Sequence, residues 1–286
     1  MVDKIVSIMQ QATLLRKGKV KNIYTIQDDG LLFEFSDRVS AFDVVLPTPI
    51  PRKGEVLCKF AQYWFETLDS PNHMIAVVDA NKMVVKKLKM LMIECIVRGY
   101  LYGSLFERVK KGAVKIGGEQ ILATKLPKPI FDPTTKSETH DMPITEPDAV
   151  SAGILTKDIF TYLSDKSLEL YLRMAEIASK AGFIIADIKF EFGTDAKGNI
   201  LLADSVGPDE FRLWPKDRYA PGKTQEAFDK QLVRDWLINV GYKDQLDEAT
   251  KKGLPPLRPP NLPSDLVAHV SQRYTESYER ITGRKL

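Results

Sequence analysis

Asp187, Lys189 and Glu191 stand on alternate positions of the run Ile185-Ala186-Asp187-Ile188-Lys189-Phe190-Glu191-Phe192-Gly193, with apolar residues between them. Side chains two apart on a strand share a face. The spacing therefore predicts a strand that buries Ile188, Phe190 and Phe192 and turns an acid, a base and an acid to one surface. Such a charged row is usually a solvated edge. Downstream, Asp195-Ala196-Lys197-Gly198-Asn199 supplies turn chemistry and Ile200 to Val206 reads as a returning strand, which makes a hairpin. With the turn centred near Lys197 and Gly198, Asp204 falls opposite Glu191, with Cβ atoms about 5 Å apart. Two facing carboxylates repel unless a cation lies between them. Oxygen donors of this kind suit Mg²⁺, which takes one or two carboxylates together with substrate phosphates; a lysine-neutralised pair is the structural alternative.

Three further groups could bind anions. Lys17, Lys19 and Lys21 alternate around Gly18 and Val20, so the backbone can approach a phosphate chain while ammonium groups neutralise it; the plain alternative is the wet face of an edge strand. Arg98 ends the strand Ile93-Glu94-Cys95-Ile96-Val97-Arg98 just ahead of Gly103-Ser104, a setting for anion binding or for a surface arginine. Lys230 and Arg234 sit one turn apart in a helix expected over Thr224–Val240, either reaching a phosphate or carboxylate or forming a solvated face.

The elements that must position these groups read as a mixed fold. A short helix is expected over Ile5–Leu14, then strands to Phe35 through an Asp28-Asp29-Gly30 turn. A helix over Leu57–Leu68 follows a proline-rich break, and Met74 to Val85 reads as strand and turn. Residues 112–143 are the least regular stretch. Thr145 with Asp148 forms a capping box, a helix over Ser164–Ala181 stops at Gly182, and Ser264–Gly283 closes the chain. The 286 residues, 44% hydrophobic and 28% charged, have the composition of a soluble globular protein large enough for two lobes. No stretch is long and apolar enough for a membrane span, and no signal peptide is expected, limits that a cytoplasmic enzyme fits. Cys58 and Cys95 have no metal-binding spacing and read as buried hydrophobes. A net charge of +3, with basic residues spread along the chain, gives no case for nucleic acid.

Over nearly its whole length the sequence resembles the SAICAR synthetase family. The strand 185–193 is similar to that family's D-x-K-x-E-F-G signature, and Glu94 to Arg98 with Gly103-Ser104 to its E-x-x-x-R-x-x-x-x-G-S signature. Supporting matches are 18–21, 36–43, Lys53-Gly54, Lys136 with His140-Asp141, Pro208-Asp209 with Arg212, and 229–231 with Arg234. The resemblance implies an α+β fold: an N-terminal antiparallel lobe over 1–92, and a larger sheet-and-helix lobe with C-terminal helices over 93–286. Its nucleotide cleft would be related to those of ATP-grasp enzymes and protein kinases. It also implies an ATP-dependent ligase that joins L-aspartate to the carboxylated aminoimidazole ribotide CAIR, giving SAICAR, ADP and phosphate through an acyl phosphate.

Carried over by position, Lys17, Gly18, Lys19, Val20 and Lys21 form the ATP phosphate loop, and Lys87, Leu88 and Met90 the adenine edge. By the same resemblance Glu191 and Asp204 would contact the nucleotide and hold Mg²⁺. Arg98, Ser104, Asp209, Arg212, Lys230 and Arg234 would gather around CAIR. Lys189, Asp187 and Lys19 would act at the reacting groups, and Ser40, Asp43, Lys136 and His140 would fall to aspartate. Met92, Tyr102 and Ser205 depart from the family pattern: Tyr102 is expected to narrow the CAIR entrance, and Ser205 replaces a usual acid beside Asp204. A non-catalytic nucleotide or phosphometabolite sensor on the same fold is one alternative, but it needs no complete phosphoryl-transfer set. RNA binding, the other, needs exposed aromatic platforms.

Overall fold

The computed structural model describes residues 12–26, 30–136, 141–255 and 257–286. Short apolar runs build the first sheet from β1 (Thr13–Lys17), β2 (Lys21–Thr25) and β3 (Gly30–Phe35). Two two-residue strands, β4 (Ser40–Ala41) and β5 (Val44–Val45), form a small hairpin with Phe42 and Asp43 at its tip. Both tip residues have positive φ, 52° and 64°, as a two-residue hairpin turn of this hand requires. Helix α1 (Lys53–Thr67) follows, then β6 (Met74–Asp79) and β7 (Lys82–Lys86), which complete an antiparallel sheet in the order β1-β2-β3-β7-β6.

The second sheet begins with β8 (Lys89–Met90) and β9 (Ile93–Tyr100). After helix α2 (Gly103–Lys110) it continues through β10 (Lys125–Phe131) and β11 (Thr134–Thr135). Helices α3 (Glu146–Ser151) and α4 (Lys157–Lys180) lead into β12 (Phe183–Thr194), β13 (Ile200–Ala203) and β14 (Phe211–Pro215). Its path is β10-β9-β12-β13, with β11 on β9 and both β8 and β14 on β12. The chain ends with α5 (Gln231–Asn239), α6 (Tyr242–Lys251) and α7 (Ser264–Thr282).

β12 is the organising strand. Its apolar residues Phe183, Ile185, Ile188, Phe190 and Phe192 are all at most 2% exposed, and α4 packs across it. Burial of each such side chain contributes roughly 2 kcal/mol. One core cluster runs through both sheets and takes in Trp64 of α1 and Tyr274 of α7. Close packing fixes two glycines. A Cβ at Gly54 would stand 2.6 Å from the Phe35 carbonyl oxygen, and one at Gly99 would stand 1.8 Å from the Tyr171 hydroxyl, which donates to Ile185 O. Among the described residues no helix is long and apolar enough to cross a membrane.

Several element boundaries differ from expectation for local reasons. The N-terminal helix lies mostly outside the described residues, and its last expected positions, Thr13 and Leu14, belong to β1 instead. The Asp28-Asp29 turn also lies outside them. α1 begins at Lys53, four residues early, directly after Pro51 and Arg52. α4 begins seven residues early because the Thr156 hydroxyl caps it by accepting from Ile159 N–H. The helix expected over 224–240 begins only at Gln231. Gln225 instead bonds the backbone of Ala220 and Lys223, and Asp229 accepts from Leu213 N–H and Gln231 N–H. β10 crosses the stretch read as least regular, tolerating Pro127 and Pro129 because it is an edge strand. Thr145 caps α3 as its box predicts, and Gly182 and Gly283 follow their helices with positive φ.

Candidate active site

The charged row on β12 is not a wet edge. Asp187 and Glu191 are 5% and 6% exposed; residues of the first sheet share a pocket with Glu191, and Asp187 lies among Arg98, Lys189 and Arg212. Lys189 Nζ reaches Glu94 Oε1 at 2.7 Å and Glu191 Oε1 at 3.5 Å. Burial opposes its charge, but Glu191 and Glu94 outweigh that and hold the ammonium protonated far above its ordinary range. Asp187 accepts from Arg212 Nη1 with both oxygens, at 2.8 and 2.6 Å, and lies 3.6 Å from Arg98.

The hairpin expectation is corrected by one residue. Glu191 faces Ala203, and the strand ends there. Asp204 would point away from Glu191 in a continued strand. Its φ of 61° turns the chain, and the carboxylate instead meets Lys21. Burial raises its proton affinity, yet Lys21, Lys136 and Lys189 prevail and hold Asp204 down at about 2. Glu191 pairs with Lys136. The two carboxylates thus share a compartment, each beside a lysine, and the described residues contain no cluster of three or more metal-binding side chains.

That compartment, about 370 Å³, runs from an apolar wall to a charged end. Ile23, Leu31, Phe33, Leu88 and Met90 form the wall, and Gly18, Lys19, Val20, Lys21, Lys136, Glu191 and Asp204 the charged end. Two expectations shift here: Arg16 and Lys86 line it, whereas Lys17 and Lys87 do not. The loop between β1 and β2 is held by Gly18 N–H donating to Lys21 O at 2.8 Å and by Arg38 donating to Gly18 O at 3.0 Å. Lys136, expected on the aspartate side with Ser40 and Asp43, lines this compartment and pairs with Glu191. His140 lies outside the described residues.

A middle compartment of about 550 Å³ shares Lys19, Val20, Lys21 and Asp204 with the first and includes Ser40 and Asp43. Lys19 Nζ lies 2.6 Å from Asp43 Oδ1. An inner compartment of about 310 Å³ joins the middle one through Glu94, Lys189, Asp209, Glu210, Arg212, Lys230 and Arg234, and adds Arg98, Ser104 and Asp187. Arg98 donates to Ser104 Oγ at 3.0 Å, and Asp132 binds both Arg98 and Arg108. Asp209 accepts from Lys53 at 2.7 Å and from Tyr274 at 2.8 Å. Against burial, the Lys53 and Lys230 ammoniums hold its carboxyl well below the usual range. Burial pushes Lys230 down to about 8, Asp209 opposing and Arg234 assisting.

Every described site residue except Lys17 and Lys87 therefore lines one continuous cleft. Sequence reasoning missed Glu210, His73 and Asp132 and left Glu94 and Lys53 as motif letters without roles. Only Glu94 had a spacing signal, since it precedes Arg98 by four. Tyr102 is corrected: it packs on Trp214 with the Arg212 guanidinium 5.5 Å from its ring and does not line the inner compartment. Ser205, in the place of a usual acid, donates to Glu210 Oε1 at 3.3 Å.

Comparison with known proteins agrees with this architecture. A phosphoribosylaminoimidazole-succinocarboxamide synthase of Nitrosopumilus maritimus is 52% identical over 274 residues, covering 95% of this chain and 99% of that protein. A SAICAR synthase from Saccharomyces cerevisiae, solved in complex with SAICAR, superposes with a TM-score of 0.81 at 33% identity and 96% coverage of both chains. A SAICAR synthetase solved with ADP gives 0.72 at 27% identity, covering 95% of this chain and 98% of that one. The SAICAR synthetase family model matches residues 14–249, and the chain belongs to that family.

Proposed function

We propose that this chain is an ATP-dependent ligase that joins L-aspartate to CAIR and releases SAICAR, ADP and phosphate in purine biosynthesis. The observation that carries the reading is the series of three joined compartments: a half-apolar one with a phosphate-loop end, a mixed-charge one, and a cation-lined one. ATP occupies the first, its base on Leu88 and Met90 and its phosphates on Gly18, Lys19, Val20 and Lys21. CAIR occupies the inner one, its ribose phosphate facing Arg98, Arg212, Lys230 and Arg234, with Ser104 and Asp209 as further contacts. Aspartate enters beside Ser40 and Asp43. Residues 1–92 supply most of the nucleotide side and 93–286 the remainder.

Phosphoryl transfer leaves the protein mainly positioning and charge neutralisation. Lys189, locked on by two acids, offsets charge as a CAIR carboxylate oxygen bonds the γ-phosphorus and ADP departs. Lys19 steadies the transferred group. Asp187 holds Arg212 and Arg98 in place for CAIR. The aspartate nitrogen then bonds the carbonyl carbon while the C–O bond to phosphate breaks. Glu191 and Asp204 would hold Mg²⁺, a reading supported by the two carboxylates lining the same charged end, since one or two carboxylates suit an ion carried largely by phosphates. Such an ion would supply charge neutralisation on the phosphates. The family's soluble biosynthetic chemistry supports a cytoplasmic site of action. A sensor would use the nucleotide compartment alone and has no need of Lys189 at a junction. The test is coupled ADP release with Mg-ATP, aspartate and CAIR, omitting each in turn. ADP release that depends on all three is expected, and release indifferent to aspartate or CAIR would sink the assignment.

A further inference from the structure

Three carboxylates, Glu94, Asp209 and Glu210, line both the middle and the inner compartment, where the activated carboxyl and the incoming amine must meet. Two have partners on both oxygens. Glu94 receives Lys189 at 2.7 Å and Thr134 at 3.4 Å, and Asp209 receives Lys53 and Tyr274. Glu210 differs. Its Oε1 meets the Ser205 hydroxyl at 3.3 Å, and its Oε2 is buried with no hydrogen-bond partner among the described residues. Oε2 faces an apolar wall: a Cβ at Gly207 would stand 3.5 Å from it and 3.3 Å from Leu57. The edge of the carboxyl left to the cleft is therefore Oε1.

A carboxylate with one dry, unpaired oxygen is a poor anion and a correspondingly better base. Burial first, then the neighbouring Asp209 and Asp204 carboxylates, push Glu210 up to about 7, against the pull of Lys21 and Lys230. Lys189 also faces it from β12. The group is thus both placed at the junction and matched in strength to proton transfer near neutral pH.

We propose that Glu210 is the proton acceptor for the incoming amine, an inference that rests on the ligase reading above. Aspartate arrives as an ammonium, whose nitrogen has no lone pair to donate. Glu210 Oε1 takes one N–H proton. The freed lone pair forms the C–N bond, the C–O bond to the phosphoryl group breaks, and its electron pair leaves on phosphate. A second N–H proton passes to the departing phosphate, and Glu210 returns its own proton to solvent. Lys189 cannot serve, because its acids keep it charged.

The test compares two amines in the full-length protein with Mg-ATP and CAIR. With aspartate, Glu210→Gln should lower kcat at least about 100-fold and remove the acid limb that the wild type shows near pH 7. With hydroxylamine, already unprotonated at neutral pH, hydroxamate formation should stay within about threefold of wild type, which also reports an intact site. Equal losses with both amines at an unchanged Tm, or an unchanged aspartate rate, would overturn the proposal. If Glu210→Gln loses both rates with a lowered Tm, Ser205→Ala decides. Removing the hydroxyl from Oε1 should move the acid limb up by about half a pH unit without changing hydroxamate formation, and an unmoved limb overturns the proposal. A wild type that releases no ADP with all three substrates overturns the ligase reading and this inference together, a result distinct from a loss confined to the variant.

Discussion

At one end of the cleft, Ile23, Leu31, Phe33, Leu88 and Met90 make a wall that needs only apolar area and shape. At the inner end, Arg98, Asp187, Arg212, Asp209 and Lys53 are paired with one another before any ligand arrives. The first arrangement tolerates small shifts, because dispersion and burial are non-directional. The second does not, since each charge removed leaves a buried partner uncompensated, and the cost of that is several kcal/mol. The cleft thus combines a forgiving apolar compartment with a rigid, charge-paired one, which the ligase reading proposed above would give to the flat base and to the charged, reacting substrate.

Removing a charge at the join should give the largest effect. Lys189→Met is expected to reduce kcat about 1000-fold through loss of a preorganised cation, with a lowered Tm because Glu94 and Glu191 lose their shared partner. Single-turnover kinetics together with a melt would check both, and a kcat near wild type would detach Lys189 from the chemistry.

The compartment with the apolar wall has its own buried titratable group. His73 lies 3% exposed between the Phe33 and Phe65 rings, its Nε2 3.1 Å from Asp204 O, and burial lowers its pKa from 6.5 to about 4, against the pull of Asp204. The unfolded chain therefore binds a proton that the folded chain refuses between those values. Stability from this group is complete above about pH 6.5 and is lost as pH falls to about 4, by about 3 kcal/mol. Denaturant titrations at pH 7 and pH 4 should show the loss, and His73→Phe should shrink it. An identical pH dependence in the variant would show that other groups cause it.

Smaller effects separate the two ends further. Asp204→Asn should leave the fold intact and lower turnover at least about tenfold through lost charge at the phosphate end, so activity near wild type would remove it from the metal assignment. Lys230→Ala should raise the Michaelis constant for CAIR about fivefold more than that for ATP. The reverse pattern would move Lys230 to the nucleotide end and erase the contrast between the two compartments.

Much of the site was legible because strand periodicity is local. Alternation alone placed Asp187, Lys189 and Glu191 on one face of β12, and the turn after Gly193 announced β13. Register was less legible. Counting from the turn put Asp204 opposite Glu191, whereas Ala203 holds that place and a left-handed residue brings Asp204 back to the cleft. Glu210 gave no spacing signal, because its importance comes from Ser205, Gly207 and Leu57 around it, not from neighbours along a strand or helix. Lys53 and Asp209 are 156 positions apart, a separation no periodicity can bridge.

The amino-acid sequence by itself determined the charged row, the alternating lysines around Gly18, the caps at Thr145 and Gly182 and, through its motifs, the family. Those depend on residue type and short spacing, which the chain carries in any context. Tertiary structure decided which charges are paired, which compartment each one lines, and how strongly each holds its proton. These follow from burial and from Coulombic neighbours brought together across two sheets, and both exist only once the chain has folded.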